Sequence, residues 1–251
     1  MRVMNYANKF KALQWKQLAY SSFFEQATVF SLLITVCFLF VLKVQDKYGN
    51  LAEFELFEFW HTKGHFTAWF ASIWFIFIWA VVGTTAGCLS CTYDEDYNPE
   101  EAYIENLLSS LRSGIFEEAL FRWSGFLLAI TVANLANKAS MDLYNHPLIE
   151  KIQLTVLGPA TNFMSFDTMQ DYLVNPENWT IGAGIVLSNA VFFFLHRQNG
   201  ILNMINSWFM GLIFFFLLLT YGLIAAMAVH VVFNAVCSTV EYVVALARLK
   251  S

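Results

Sequence analysis

The sequence predicts an all-α protein, a polytopic transmembrane helical bundle of about six spans plus one or two interfacial helices. Two features of composition and one of patterning carry that prediction. Of 251 residues, 58 % are hydrophobic and 13 % charged, and the mean hydropathy is +0.53. A soluble domain carries about 25 % charged residues. Aromatic residues make up 18 %, with 26 Phe and 8 Trp, which suits a chain bathed in lipid and anchored at its interfaces. The patterning is a series of charge-poor runs, each long enough for the roughly 20 apolar residues that a spanning helix needs. Such a composition excludes a disordered chain and disfavours an ordinary water-soluble enzyme. A net charge of -5 offers no basic face to nucleic acid, and four cysteines make no disulfide framework. Residues 1–251 read as a single membrane domain.

The spans follow in order. Residues 26–42 carry no formal charge, and Phe23 and Phe24 complete the first span. This run is not a cleaved signal peptide, because residues 1–22 precede it with Trp15 and four basic side chains, and no small-residue cleavage motif follows. Those first residues read as an amphipathic lead-in. Residues 64–93 supply a second uncharged run. Residues 113–137 supply a third, apolar except for Glu117, Glu118 and Arg122. Residues 179–195 give the fourth and end at His196. Residues 198–240 carry no formal charge and are too long for one span. Gly222, after Thr220 and Tyr221, permits a turn that divides them into spans at about 203–219 and 223–247.

The connections differ in character. Residues 92–106 hold six acids and no base, and residues 104–111 then resume apolar spacing, the pattern of an interfacial helix leading into span three. Residues 138–178 contain Pro147, Pro159 and Pro176. A structureless loop of that length is uncommon, so the apolar stretch 152–166 is expected to lie on the membrane or dip into it. Lys and Arg are slightly richer on the side of both termini, which points to both termini in the cytoplasm.

Ionisable side chains inside a span cost roughly 2.5 to 3.5 kcal/mol on insertion scales, so each needs a partner or a task. Glu118 and Arg122 stand at i and i+4 and share a helix face. Glu117 lies about 100° round the helix and faces something else. With two adjacent carboxylates near one guanidinium, one can keep the character of a general base or acid. His196 ends span four, one turn after Phe192. His230 lies deep in span six, with Asn234 at i+4 on the same face. Taken singly, each reads equally well as structure: an ion pair, an interfacial histidine, an interhelical hydrogen bond. Together they could converge in the bundle interior, where polar groups must satisfy one another.

The order Glu117-Glu118-x-x-x-Arg122, Phe192-x-x-x-His196 and His230-x-x-x-Asn234 resembles the three motifs of the CPBP family. These are the CAAX prenyl endopeptidase, bacteriocin-processing and abortive-infection intramembrane proteases. Ser188-Asn189-Ala190 before the second motif, and Phe209-Met210-Gly211 and Tyr221-Gly222-Leu223 before the third, agree with it. The resemblance covers residues 105–247 as a catalytic core, with 138–178 as an insertion between motif helices. It implies a metal-independent glutamic endopeptidase with no cofactor. Glu117 would activate water with the help of His196. His230 and Asn234 would form the oxyanion hole, and Glu118 and Arg122 would support the site. The implied substrate is a membrane-associated peptide or protein, with prenylated tails and leader peptides among the kinds the resemblance suggests.

Other readings belong beside this one. The same fold could act without proteolysis, as an immunity or phage-defence protein that binds a partner. Glu117, His196 and His230 are acceptable zinc ligands by type. Glu117 and Glu118 could serve as a proton relay in a transporter. Three smaller patterns are weaker. Cys88-Leu89-Ser90-Cys91 is a lone pair of cysteines at a span end. His61 and His65 stand near Glu53, Glu55 and Glu58, but Gly64 interrupts any rigid helix there. Asn178-Trp179-Thr180 is a formal glycosylation sequon at a span entrance.

Overall fold

The computed structural model describes residues 27–51, 54–55, 57–90, 98–197 and 201–249. The amphipathic lead-in of residues 1–22, the start of the first span, Glu53, Cys91 and most of the acidic run at 92–97 lie outside the described residues. Those described form α-helices, short 3-10 turns and two π-helical segments, with no strand among them. Among the described residues, five helices are long and apolar enough to cross a membrane, or six if one bent pair counts as a single span.

Helix α1 (Ala27–Tyr48) is peripheral. Val29, Leu32, Val36 and Leu39 project outward, while Phe38 packs edge-on against Trp123 at 4.3 Å and Val41 is fully buried. The second predicted span is broken. Helix α2 (Phe66–Ser72) and helix α3 (Trp74–Ser90) meet at Ile73 with a bend of 61° between them. The break has causes within the turn and beyond it. The Ile73 N–H bonds Phe70 O, a tightened closing turn, and Ser72 Oγ donates to Trp69 O. Trp69 Nε1 ties α2 back to Lys63 O, and Ile73 and Ile76 plug into an apolar cluster with side chains of residues 210–233.

The third span differs more from expectation. Among the described residues, no separate interfacial helix precedes it. One continuous helix runs from Pro99 to Tyr144, about 69 Å at 1.5 Å per residue. It is divided into α4 (Pro99–Glu117), a π-helical segment (Glu118–Ser124) and α5 (Gly125–Tyr144). Asn98 caps its start by accepting from the Glu100 N–H, and Glu100 and Glu101 complement the helix dipole. Asn145, in the left-handed region at φ 54°, ends it seven residues beyond the predicted start of the insertion.

The stretch expected to be an insertion forms short helices: α6 (Leu148–Ile152), a π turn (Gln153–Leu157), α7 (Gly158–Met164) and α8 (Gln170–Leu173). It folds against α9 (Trp179–Leu195) and α5. Buried Gln153 donates to Leu173 O, and Met169 and Leu173 enter the main core. Val156, Phe163 and Phe166 point outward. Within the sequon, Asn178 donates to Asp171 O and Thr180 is buried.

The expected division at Gly222 is present. Helix α10 (Ile201–Tyr221) and helix α11 (Leu223–Leu249) meet at Gly222, whose φ is +98°. A Cβ there would lie 1.8 Å from His61 O, so the turn needs glycine for conformation and for space.

Helices α4 and α11 run antiparallel in close contact. Polar rungs connect them along their length. Asn106 Nδ2 donates to Glu241 Oε2 at 3.1 Å, Ser110 Oγ lies 3.4 Å from Ser238 Oγ, and Asn234 Nδ2 donates to Ser113 Oγ at 2.8 Å. The two backbones approach closely at Gly114, where an added Cβ would stand 2.4 Å from Val231 Cγ2 and 2.8 Å from the Val231 backbone N. Gly114→Ala is therefore expected to cost about 1–3 kcal/mol through overpacking. Thermal unfolding in detergent checks this; an unchanged melting temperature would mean that the two helices part without cost.

Candidate active site

The three charged residues of span three sit where the long helix changes winding. The π segment begins at Glu118, directly after Glu117. Such segments leave carbonyls without their usual partners, and they recur at functional sites. Here the Ser124 hydroxyl donates back to Leu120 O at 3.0 Å, and Ser188 of α9 donates to Phe121 O at 2.6 Å. Gly125 leaves room for the widened turn, since a Cβ there would meet Leu120 O at 2.7 Å. The segment, Glu118 to Ser124, is wholly buried.

Glu117 and Glu118 consequently enter different surroundings. Glu118 is 0 % exposed. Its Oε1 accepts from His230 Nδ1 at 2.8 Å, and its Oε2 lies 3.5 Å from Arg122 Nε. The i, i+4 pair expected with Arg122 is thus one half of a three-residue cluster, with His230 as the other half. Arg122 is also fully buried. Its guanidinium nitrogens find no hydrogen-bond acceptor among the described residues. The rings of Phe192, Phe214, Phe215 and Phe121 surround it at 4.2 to 6.0 Å, within the range of cation–π attraction. Gly211 makes space for this arrangement, because a Cβ there would stand 1.8 Å from Asn189 Oδ1 and 3.0 Å from an Arg122 terminal nitrogen.

Glu117 instead lines a cavity of about 290 Å³. No hydrogen bond or ion pair to another described residue engages its carboxylate. His196, His230 and Asn234 line the same cavity. Three elements therefore bring together the four residues that the sequence singled out: the α4 end, the α9 end and the middle of α11.

Each partner is held by a named contact. His196 Nδ1 donates to Phe192 O at 2.8 Å, which leaves Nε2 with a lone pair in the neutral ring. The Phe192 ring packs against the imidazole at 4.4 Å. His230 stacks on Phe214 at 4.4 Å, with its Nδ1 committed to Glu118. Its Nε2 can donate only when both ring nitrogens carry protons. Asn234 is fixed by Ser113.

The cavity has further walls that the motifs did not indicate. Ser113 of α4 and Asn203, Asn206, Ser207 and Met210 of α10 also line it. Asn206 Oδ1 accepts from Trp79 Nε1 at 3.0 Å, so the second span braces the cavity wall. The signal was present as polar spacing. Ser113 precedes Glu117 by one turn, and Asn203, Ser207 and Met210 follow helical spacing in an otherwise apolar run.

The weaker patterns stay apart from this site. Cys88 is buried near the end of α3, where its backbone carbonyl accepts from Arg248. His61 Nδ1 is engaged by Glu58 O in the loop that packs on Gly222. Among the described residues, no three His, Cys, Asp or Glu side chains form a group that could hold a metal ion.

A protein-family model, type II CAAX prenyl endopeptidase Rce1-like, matches residues 99–236, more than half of the chain. The chain belongs to this family. The match begins at the first residue of α4 and ends within α11, so it takes in the whole cavity-bearing unit and leaves α1–α3 outside. No curated protein and no solved structure matches the chain. Membership places this CAAX-endopeptidase-like chain among peptidases that act on membrane-associated peptides or proteins. Its apolar helices agree with an integral membrane protein.

Proposed function

We propose that this chain is a metal-independent intramembrane endopeptidase in which Glu117 activates the attacking water. The observation that carries the reading is the cavity itself. A carboxylate free of ion pairs, an imidazole with a free lone pair and two candidate donors line one space. The rest of the charge is buried behind it in the Glu118, Arg122 and His230 cluster.

The chemistry runs as follows. Glu117, assisted by His196 Nε2, takes a proton from water as its oxygen bonds to the scissile carbonyl carbon. The carbonyl oxygen becomes an oxyanion and accepts from His230 Nε2–H and Asn234 Nδ2–H. Collapse breaks the C–N bond, and the proton held by Glu117 passes to the leaving amine. Water is consumed, a carboxylate and an ammonium are released as the proton of the new carboxylic acid also passes to the amine, and the enzyme returns to its starting state. No serine or cysteine nucleophile is needed. Glu118 and Arg122 support His230 rather than touch substrate. The family name makes a prenylated C-terminal peptide the first substrate to try.

The test is incubation of the purified protein, in lipid nanodiscs, with a farnesylated peptide ending in a CAAX sequence. Mass spectrometry should find a C-terminally shortened product, at a rate that chelators do not change. Loss of the rate on chelation and its return with zinc would replace this mechanism by the zinc reading of Glu117, His196 and His230. Absence of cleavage, with tight binding of a partner protein retained, would favour the immunity or defence reading.

A further inference from the structure

We propose that Ser113 is a positioning residue that sets which end of the Asn234 amide faces the cavity. The proposal rests on the reading of Asn234 as an oxyanion donor. An asparagine amide can turn over about its terminal torsion, and the two ends have opposite hydrogen-bonding character. Only the nitrogen end can stabilise an oxyanion. Something in the site must therefore choose between them.

The Ser113 hydroxyl makes that choice. It donates its own proton to Ser110 O at 3.4 Å, so it presents a lone pair to Asn234. The Asn234 Nδ2 donates into that lone pair at 2.8 Å. The reversed amide could keep a bond here only if the hydroxyl turned its proton from Ser110 O to Oδ1 and gave up its bond within α4. With one N–H so engaged, the second N–H of the same nitrogen remains for a ligand in the cavity, which both side chains line.

The surrounding rungs hold this pair in register. Ser110 with Ser238 lies on one side and Glu118 with His230 on the other. Ser238 Oγ also donates to the Asn234 backbone carbonyl at 2.9 Å. Gly114 lets the α11 backbone come close enough for the contact. Ser113 stands four residues before Glu117, on the same face of α4. Water activation and oxyanion binding are thus referenced to one helix, where a small misplacement is costly.

The test compares Ser113→Thr with Ser113→Val, two side chains of the same shape that differ in the hydroxyl. The probe is the farnesylated CAAX peptide in nanodiscs. Ser113→Val should lower kcat by about tenfold or more with KM unchanged, a fraction of the roughly 10²- to 10³-fold loss seen when an oxyanion donor is removed outright. Ser113→Thr should restore most of the rate. Adding Ser113→Val to Asn234→Ala should cost nothing further, because both act through one amide. Equal rates for the Thr and Val variants, or losses that multiply in the double variant, would overturn the proposal while leaving the endopeptidase reading in place. A wild-type protein that does not cleave would remove that reading and the proposal with it. If the Val variant does not fold, Ser113→Ala takes its place against Ser113→Thr.

Discussion

Glu117→Gln is expected to abolish cleavage, lowering kcat by about 10³- to 10⁴-fold, with the fold intact. The substitution keeps the shape of the side chain and removes the proton acceptor. Glu117 lies on the cavity wall with no ion pair to lose among the described residues, so stability should hardly change. Turnover of the farnesylated peptide and thermal unfolding in detergent give the two readouts. Glu118→Gln should behave differently although it is the adjacent residue. It removes the counter-charge of both Arg122 and His230 inside a fully buried cluster, so its melting temperature should fall along with its activity. If Glu117→Gln cleaves at the wild-type rate, the base lies elsewhere. If it unfolds, Glu117 is structural.

Arg122→Met should have the largest effect on stability, about 3–5 kcal/mol. The cost comes less from the lost contacts than from what they leave behind. Glu118 is 0 % exposed, and without the guanidinium its charge faces His230 and a ring-lined space. The double variant Glu118→Gln with Arg122→Met removes both charges and should regain much of the stability, since replacing a buried ion pair as a unit is often close to neutral. It should stay inactive, because His230 no longer has a carboxylate beside it. Detergent melting temperatures of the wild type, the single and the double variants form the cycle. Equal melting temperatures for the wild type and Arg122→Met would mean that solvent reaches the cluster. A double variant no more stable than Arg122→Met would mean that ring packing around the guanidinium, rather than charge, supplies its stability.

The sequence revealed the span pattern because hydropathy and the absence of charge are local properties. Gly222 was legible for the same reason, as only glycine meets both its φ and the closeness of His61 O. The break at Ile73 was not, because it depends on tertiary contacts of Trp69, Ile73 and Ile76 rather than on a proline or glycine at the site. The unbroken helix from Pro99 was hidden by its acids. A run of Glu reads as a loop or interface, yet Glu100 and Glu101 serve the helix start. The π segment at Glu118 was hidden too. Its freed Phe121 carbonyl is satisfied by Ser188, a partner far along the chain.

The candidate site was legible in part. Spacing placed Glu118 with Arg122 and His230 with Asn234, each within one helix. It could not reveal that Glu118 also takes His230, because that bond crosses between helices. Nor could it pair Ser113 with Asn234: its spacing before Glu117 was legible, but the bond between them crosses from one helix to another. The bracing of Asn206 by Trp79 lies wholly beyond the motifs, in a span outside the family match.

The central claim is that Glu117 acts as a base on water and does not itself attack the peptide. Oxygen labelling separates the two. The wild-type protein is allowed many turnovers of the farnesylated peptide in ¹⁸O-water, and both the new C-terminus and the proteolytic fragment containing Glu117 are weighed. Direct water attack predicts ¹⁸O in the new product carboxylate and none in Glu117. Label accumulating in the Glu117 carboxylate would mean an acyl-enzyme formed on that residue, and would contradict the account.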